Sequence, residues 1–168
     1  MSKLKFRVSA MPKPRRISTC LWFTRNAEEA ATLYTSLFKN SRITAVSRYG
    51  KGAPFPKGTA WLVEFTLDGV PFQALNGGPM FKLSEAASLS VPCGTQAEID
   101  RLWKALLAKG GQELNCGWLK DRFGLSWQIV PSMMNKWMMD PVRAARVTAA
   151  FMPMKKLDLA TLKAAYRG

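Results

Sequence analysis

The stretch CGWLKDRFGLSWQIVP at residues 116–131 decides the fold, because its second half repeats an earlier segment of the chain. Residues 124–130 (GLSWQIV) match residues 69–75 (GVPFQAL), with glycine on glycine, aromatic on aromatic and glutamine on glutamine. In each segment a turn glycine leads into a largely apolar strand. The repeat therefore predicts two copies of one structural unit.

A second correspondence lies upstream of each copy, where a polar residue opens an amphipathic helix. Asn26 and Thr95 are each followed three residues later by Glu, which is the pattern of a capped helix N-terminus. Apolar residues then recur every three or four positions, as on one buried helix face. Along the sequence, the two helix caps are separated by more residues than the two turn glycines are. The second copy therefore has fewer residues between its helix and its last strand.

Strand-like segments between these landmarks complete two βαβββ units. The predicted strands lie at 17–23, 42–49, 59–67 and 70–75 in the first unit, and at 87–91, 112–116, 118–122 and 125–130 in the second. Asp68-Gly69 is a strong hairpin signal. We therefore predict an α+β fold of two tandem βαβββ modules, whose curved sheets form an open barrel with the helices packed outside.

Four parts of the chain are predicted. They are a basic tail at 1–16, a first module at 17–80, a second module at 81–131 and a helical extension at 132–168. The tail contains no acid, so we expect a disordered segment or an upstream start, with a targeting segment as the alternative. In the extension, Asp140 and Asp158 are expected to cap helices. Its methionines are typical of a core or a subunit interface and, with the free strand edges, predict a homodimer.

Composition excludes several classes of protein. The formal net charge is +14 at pH 7, but the basic residues beyond the tail are scattered and form no nucleic-acid recognition motif. An anionic ligand is the functional alternative for this charge. No apolar run approaches the roughly 18–20 residues of a membrane span. Cys20, Cys93 and Cys116 form no CxxC pair, which favours a reducing cytoplasm, and the first two are predicted as small buried residues.

Four segments resemble one known family. They are LWFTRNAEEAATLYTSLFKNSRI, DGVPFQALNGGP, CGWLKDRFGLSWQIVP and MKKLDLATL. They are similar to PhnB-like proteins, a branch of the vicinal oxygen chelate superfamily that is often labelled as a 3-demethylubiquinone-9 3-methyltransferase domain. The resemblance covers residues from about Ile17 to Tyr166 and implies the glyoxalase/bleomycin-resistance fold. The family commonly has histidine after Asn-Gly-Gly-Pro, whereas this chain has Met80 there and contains no histidine.

The resemblance also implies a site, because metal-binding members of the superfamily carry ligands on the first and last strands of both units. The equivalent positions here are Thr19, Gln73, Ser88 and Gln128. Hydroxyls and neutral amides bind a divalent transition metal poorly, since such ions prefer imidazole, thiolate or carboxylate. We therefore expect no metal and no other cofactor. The two glutamines either satisfy backbone groups at the barrel mouth or bind a small polar ligand.

Three further residues are predicted to contact that ligand. Trp127 precedes Gln128, Cys116 lies near the expected cavity, and Arg122 is placed to steer an anion towards it. The alternative for Arg122 is an exposed salt bridge with Asp121 in a turn. A Cys-His nucleophile pair is impossible without histidine.

The predicted function is metal-independent binding of a small molecule, with Trp22, Phe72 and Trp127 near the cavity. The alternative is an enzyme, either a glyoxalase-type lyase or isomerase or the quinone methyltransferase of the family label. A methyltransferase of the common α/β class has a glycine-rich loop between a strand and a helix, but no helical pattern follows Gly50 to Gly52. The segment 76–78 (NGG) indicates a tight turn, with an anion cradle as its alternative. No catalytic residue is assigned, since the carboxylates form no convincing acid-base pair.

Overall fold

The computed structural model describes residues 17–168, and the predicted basic tail at 1–16 lies outside the described residues. The helices and strands are β1 (Thr19–Phe23), α1 (Ala27–Leu37), β2 (Arg42–Arg48), β3 (Ala60–Leu67), β4 (Val70–Asn76), β5 (Ser88–Cys93), α2 (Gln96–Leu107), β6 (Gln112–Glu113), β7 (Trp118–Lys120), β8 (Ser126–Pro131), α3 (Met134–Trp137), α4 (Pro141–Phe151) and α5 (Leu159–Arg167). None of the helices in this part of the chain is long and apolar enough to cross a membrane.

The strands form two separate four-stranded sheets of identical order. The first sheet runs β1-β4-β3-β2 and the second runs β5-β8-β7-β6. In each sheet the first strand pairs in parallel with the last, and the other neighbours are antiparallel. Gln73 and Gln128 hold equivalent places on β4 and β8, each opposite a residue of the first and of the third strand of its module. The two predicted βαβββ modules are thereby confirmed, and the two sheets do not close into a barrel.

Each long helix packs an apolar face on its own sheet. The buried residues are Ala27, Ala30, Ala31 and Tyr34 on α1, and Ile99, Leu102, Trp103 and Leu106 on α2. Both sets have the i, i+3, i+4, i+7 spacing that the sequence predicted. Full burial of one large apolar side chain contributes about 1.5–3 kcal/mol, so these faces are the main reason that the helices stay on their sheets.

The two helix N-termini are stabilised differently. Thr95 Oγ1 accepts the backbone N–H of Glu98 at 3.2 Å, which confirms the predicted cap of α2. The prediction that the Asn26 side chain caps α1 is wrong, because it makes no such bond. Instead Asn76, at the end of β4, accepts the backbone N–H of Ala27 at 2.9 Å. A distant residue thus takes the place of the local cap and joins α1 to its sheet.

The two modules meet through the faces that carry the helices. Phe38, directly after α1, stacks on Trp127 of β8 with ring centroids 5.8 Å apart, and Tyr34 of α1 contacts the same ring edge-on at 5.1 Å. The buried residues of both modules form one continuous core. Within one chain the helix-bearing faces lie at the junction between the modules, and the opposite face of each sheet carries no helix of its own module.

Asp121 is a buried carboxylate at this junction, and the predicted exposed salt bridge with Arg122 is wrong. Its Oδ2 accepts the Tyr34 hydroxyl at 2.7 Å and the Trp127 indole N–H at 2.9 Å. Its Oδ1 accepts the backbone N–H groups of Phe123 at 2.8 Å and Leu125 at 3.1 Å. These four donors replace the water that the carboxylate loses on burial. Asp121 therefore joins α1 of the first module to β8 of the second.

Tyr34→Phe should reduce the loss of stability at alkaline pH. Burial, with a further contribution from the nearby Asp121 carboxylate, raises the pKa of Tyr34 well above its ordinary value. The unfolded chain therefore releases the tyrosine proton above about pH 10 while the folded chain retains it, so stability falls as the pH rises. Urea unfolding at about pH 8 and about pH 11 should show a smaller drop for the variant than for the parent. Equal drops would contradict this assignment.

Residues after Pro131 form three helices with a small core of their own. The buried members of this core are Trp137, Val147, Leu157, Leu159 and Leu162. Asp140 accepts the backbone N–H groups of Val142 and Arg143, and Asp158 accepts that of Thr161, so both predicted caps are confirmed. The backbone carbonyls of Met154 and Lys155 accept the N–H groups of Cys116 and Gly117, each at 2.7 Å, which attaches the extension to the second module.

Candidate functional site

The open face of each sheet, opposite the face that packs on the helices, carries the predicted polar residues. Successive side chains of a strand point to opposite faces. Phe72 of β4 and Trp127 of β8 are buried in the common core. Gln73 and Gln128, the next residues, therefore point to the open faces. The two glutamines thus lie on two separate sheets, each on the side away from the core through which the modules meet.

The second sheet brings Ser88 and Gln128 together. Gln128 Nε2 donates to Ser88 Oγ at 2.8 Å, and Ser90 and Trp118 lie opposite Gln128 on the neighbouring strands. Ser126 lies on the same face, is fully buried and has an Oγ without a hydrogen-bond partner. An unsatisfied buried hydroxyl costs about 1–3 kcal/mol, and this oxygen has no exposed surface through which a ligand could reach it.

An ion pair borders this polar cluster. Lys120 lies opposite Ser126 on β7, and its Nζ pairs with the carboxylate of Glu85 in the segment between the modules. The hydrogen bond from Lys120 lowers the pKa of Glu85. Glu85 is therefore ionised at neutral pH and is poorly suited to act as a general acid there.

The first sheet places Gln73 between Cys20 and Glu64 on its open face. Gln73 Nε2 is 3.5 Å from Glu64 Oε1, which is long for a hydrogen bond. Thr19 pairs with Phe72 and so points to the core side, and Cys20 is the residue of β1 that lies opposite Gln73 on the open face. Counting from the helix cap misplaced Thr19, because the link from the residue opposite the glutamine to the helix is one residue longer in the first module, so the residue equivalent to Ser88 is Ser18.

Cys20 also differs from its prediction as a small buried residue. Its side chain is exposed on the open face, whereas Cys93 is buried as predicted. Partial burial nevertheless raises the pKa of the Cys20 thiol, and burial raises the pKa of Cys93 to about 12. Both thiols therefore stay protonated at neutral pH, which disfavours nucleophilic chemistry by either.

Trp127, Cys116 and Arg122 do not join the two glutamines. Trp127 is only 1% exposed and lies in the module junction. The Cys116 thiol lies beside the C-terminal helices, 3.9 Å from the sulfur of Met152. Arg122 covers the ring of Phe123 at 4.5 Å and lines a groove beside α1 and α2. Closeness in sequence predicted these contacts, but strand alternation and the turn after β7 direct each side chain elsewhere.

The segment from Asn76 to Gly78 has a structural role. Asn76 caps α1, and a Cβ on Gly77 would come within 2.2 Å of the Trp22 ring. Trp22 Nε1 donates to the Gly78 carbonyl at 2.9 Å, and its ring meets Phe81 edge-on at 4.9 Å. Glycine is therefore required here for the close approach of an indole, which leaves Trp22 held at one end of the first open face.

The positions that the resemblance implies for a metal do not fit one. Thr19 points to the core side, while Gln73 and Gln128 lie on two separate sheets. Hydroxyl and amide oxygens supply no negative charge, whereas a divalent transition metal is usually held by imidazole, thiolate or carboxylate. From residue 17 onward, no group of three or more His, Cys, Asp or Glu side chains is arranged to hold a metal ion.

The segment from Gly50 to Gly52 does not resemble a cofactor loop either. It lies between β2 and β3, so strands flank it on both sides. The phosphate-binding loops of dinucleotide-binding folds instead lead from a strand into a helix, whose N-terminus contacts the anion. This segment therefore gives no support for a bound nucleoside cofactor.

Two solvent-open grooves lie at the junction of the modules. The helix groove, about 840 Å³, runs between α1, the end of α2 and Arg122. The hairpin groove, about 550 Å³, runs between the end of α1, the β3–β4 turn and β5. Neither groove is lined by Gln73 or Gln128, so neither encloses the two glutamines in one cavity.

Four open-face residues escaped prediction as site residues. They are Cys20, Glu64, Ser90 and Ser126. Only Ser126 carried a usable signal, since it lies two residues before Gln128 on the same strand and so shares its face. The other three depend on the pairing register between strands, which a single sequence does not specify.

Known proteins of one family are similar to this chain. The model of the family described as 3-demethylubiquinone-9 3-methyltransferase matches residues 15–130. A solved PhnB protein from Bacillus cereus that bears the same methyltransferase name is 37% identical, with a TM-score of 0.65 over 70% of this chain and 99% of its own. A solved protein from Pseudomonas aeruginosa is 23% identical, with a TM-score of 0.54 over 68% of this chain and 95% of its own. A search of curated proteins found no match.

Proposed function

Since the chain belongs to the 3-demethylubiquinone-9 3-methyltransferase family, which includes PhnB, we propose that it binds a small molecule without a metal, between the open faces of two copies of itself. The observation that supports this proposal is the division of the polar residues between two separate sheets. Each sheet carries a glutamine at the same place in its module, and neither groove at the junction contains either glutamine. A cavity that contains both glutamines therefore needs a second chain.

The free strand edges suggest how two copies would assemble. β1 and β5 are edge strands, each next to the strand that carries a glutamine. The unpaired backbone groups of such an edge are available to pair with another chain. Pairing of β1 from one copy with β5 from the other would place Gln73 of one chain and Gln128 of the other on one continuous surface. Twofold symmetry would then create two equivalent sites.

The open faces favour a flat ligand of weak polarity or with a single anionic group. Trp22 and Trp118 lie on these faces, whereas Phe72 and Trp127, predicted as the walls, belong to the core. The second amide N–H of Gln128 remains available to a ligand oxygen, beside the Ser88 hydroxyl that accepts the first. Aromatic walls with a few placed polar groups are typical of small-molecule sites. We therefore propose an aromatic acid as the ligand class.

The second candidate is a methyltransferase, and the name of the matched family favours it. Such an enzyme must bind S-adenosylmethionine. The glycine-rich segment from Gly50 to Gly52 lies between two strands, and neither the Cys20 thiol nor the Glu85 carboxylate is suited to proton transfer at neutral pH. These observations make binding the better-supported function. The unpaired Cys20, Cys93 and Cys116 fit a reducing compartment, and we propose the cytoplasm as its location.

A thermal-shift screen should separate these functions. 4-Hydroxybenzoate is expected to stabilise the protein, by roughly 2.7 kcal/mol at a hundredfold excess over its dissociation constant. Gln128→Leu should abolish the shift, because it removes the amide at the centre of the polar cluster. Gln112→Leu is the matched control, since Gln112 lies on the outer edge strand β6, two strands from β8, and should retain the shift.

Three results of this screen would overturn the proposal. A shift with S-adenosylmethionine would favour the methyltransferase. A shift with zinc, nickel or manganese that survives dialysis would favour a glyoxalase-type enzyme and would refute the metal-independent site. If Gln112→Leu loses the 4-hydroxybenzoate shift as Gln128→Leu does, the Gln128 cluster is not the specific cause of the shift.

A further inference from the structure

We propose that the helix groove binds a small organic dianion at a second site, separate from the open faces. Its charged lining residues are Arg25, Arg48, Lys109 and Arg122, with Glu28 and Glu29. The groove of about 840 Å³ is large enough for a ligand with a ring-sized body. The proposal rests on the charges and shape of this groove and does not depend on the proposed function.

The charges in the groove are not balanced. Arg48 forms a two-point ion pair with Glu28, with nitrogen to oxygen distances of 2.8 and 3.0 Å, so these two groups neutralise each other. The remaining charged groups of the groove are three cations, Arg25, Lys109 and Arg122, and one carboxylate, Glu29. The groove therefore has two positive charges in excess. None of these three cations forms an ion pair within residues 17–168. A concave surface of one charge sign concentrates counter-ions, and a dianion matches this excess.

Arg122 is held in place by the core beneath it. Its guanidinium covers the ring of Phe123 at 4.5 Å, and that ring meets Tyr34 edge-on at 6.1 Å. The preceding residue, Asp121, is anchored by its four buried hydrogen bonds. An arginine fixed in this way binds carboxylate or phosphate with less loss of side-chain entropy than a free one, and its planar fork can donate two parallel bonds.

The walls of the groove define the rest of the ligand. Four residues supply apolar surface between the charged groups: Leu33 of α1, Ala60 of β3, Ala105 of α2, and Ala108 at the end of α2. These short side chains leave room for a compact apolar body rather than a long chain. The ligand chemistry is therefore a dicarboxylate or a phosphate monoester on a small apolar frame.

Isothermal titration calorimetry on the full chain tests this proposal with four probes. Phenyl phosphate and phthalate are dianions, benzoate is a monoanion and benzyl alcohol is neutral. At least one of the dianions should bind more tightly than benzoate, by about tenfold or more, because its second negative charge gains a further charged hydrogen bond. The tighter of the two identifies phosphate or carboxylate as the head group. Added salt should weaken binding, because the groove is open to solvent.

Arg122→Gln should weaken dianion binding by about tenfold or more. Lys109→Gln provides a second variant, in case Arg122→Gln lowers the stability of the fold. Arg167→Gln is the matched control, because Arg167 is exposed at the end of α5 and the same charge is removed. It should leave the affinity unchanged.

Three outcomes would overturn the dianion site. Benzyl alcohol binding as tightly as the dianions would show that the groove is simply apolar. Equal affinities for Arg122→Gln and Arg167→Gln would show that net charge alone attracts the probe. Loss of dianion binding in Gln128→Leu, with Arg122→Gln unaffected, would place the dianion at the open face. That last result would support the proposed function while refuting the second site, so the two failures are distinguishable.

Discussion

Asp121→Ala is expected to lower the free energy of unfolding by about 3–5 kcal/mol. The substitution leaves the Tyr34 hydroxyl, the Trp127 indole N–H and two backbone N–H groups without their acceptor inside the core. Each buried donor left without a partner costs about 1–3 kcal/mol before relaxation. The loss should be large because the carboxylate holds α1 of one module to β8 of the other.

Asp100→Ala is the matched control for this experiment. Asp100 is half-exposed on α2, where it pairs with Lys156 and accepts a hydrogen bond from Gln96. Water can replace these partners, so the loss of stability should be much smaller. Asp121→Asn keeps the side-chain volume and should fall between the two, which separates the lost acceptor from the new cavity. Urea unfolding gives all three values, and equal losses for Asp121→Ala and Asp100→Ala would contradict the network.

Mixing Gln73→Leu with Gln128→Leu should restore ligand binding that neither variant has alone. In the proposed dimer each site takes Gln73 from one chain and Gln128 from the other. A dimer of a single variant therefore has one leucine and one glutamine in each of its two sites. A mixed dimer has both leucines in one site and both glutamines in the other, so one intact site is recovered. The 4-hydroxybenzoate shift reports the recovery after the subunits have exchanged.

This experiment depends on measurements of the dimer itself. Sedimentation should give a mass of two chains at micromolar concentration, and a monomer at every concentration would refute the shared site. Mixing each variant with itself is the control and should restore nothing. Binding that stays absent although the subunits exchange would mean that both glutamines of a site come from one chain.

The sequence by itself determined the two modules, because their signals are local. The turn glycines at 69 and 124 lead into strands, and the apolar spacing after residues 26 and 95 specifies one buried face for each helix. Thr95 caps α2 with a bond to a residue three positions along the chain. Such features depend on neighbours within one or two turns, so they can be predicted from residue type and spacing.

Only the tertiary structure decided which faces meet and which residues share a site. Asn76 replaces the expected Asn26 side chain as the cap of α1, because β4 ends beside that helix. Cys20 replaces Thr19 on the first open face, because strand register sets which side chain lies opposite Gln73. Asp121 becomes a core residue only when Tyr34 arrives from the other module. These outcomes depend on contacts between distant segments, and a one-residue change in register reverses the face of a side chain.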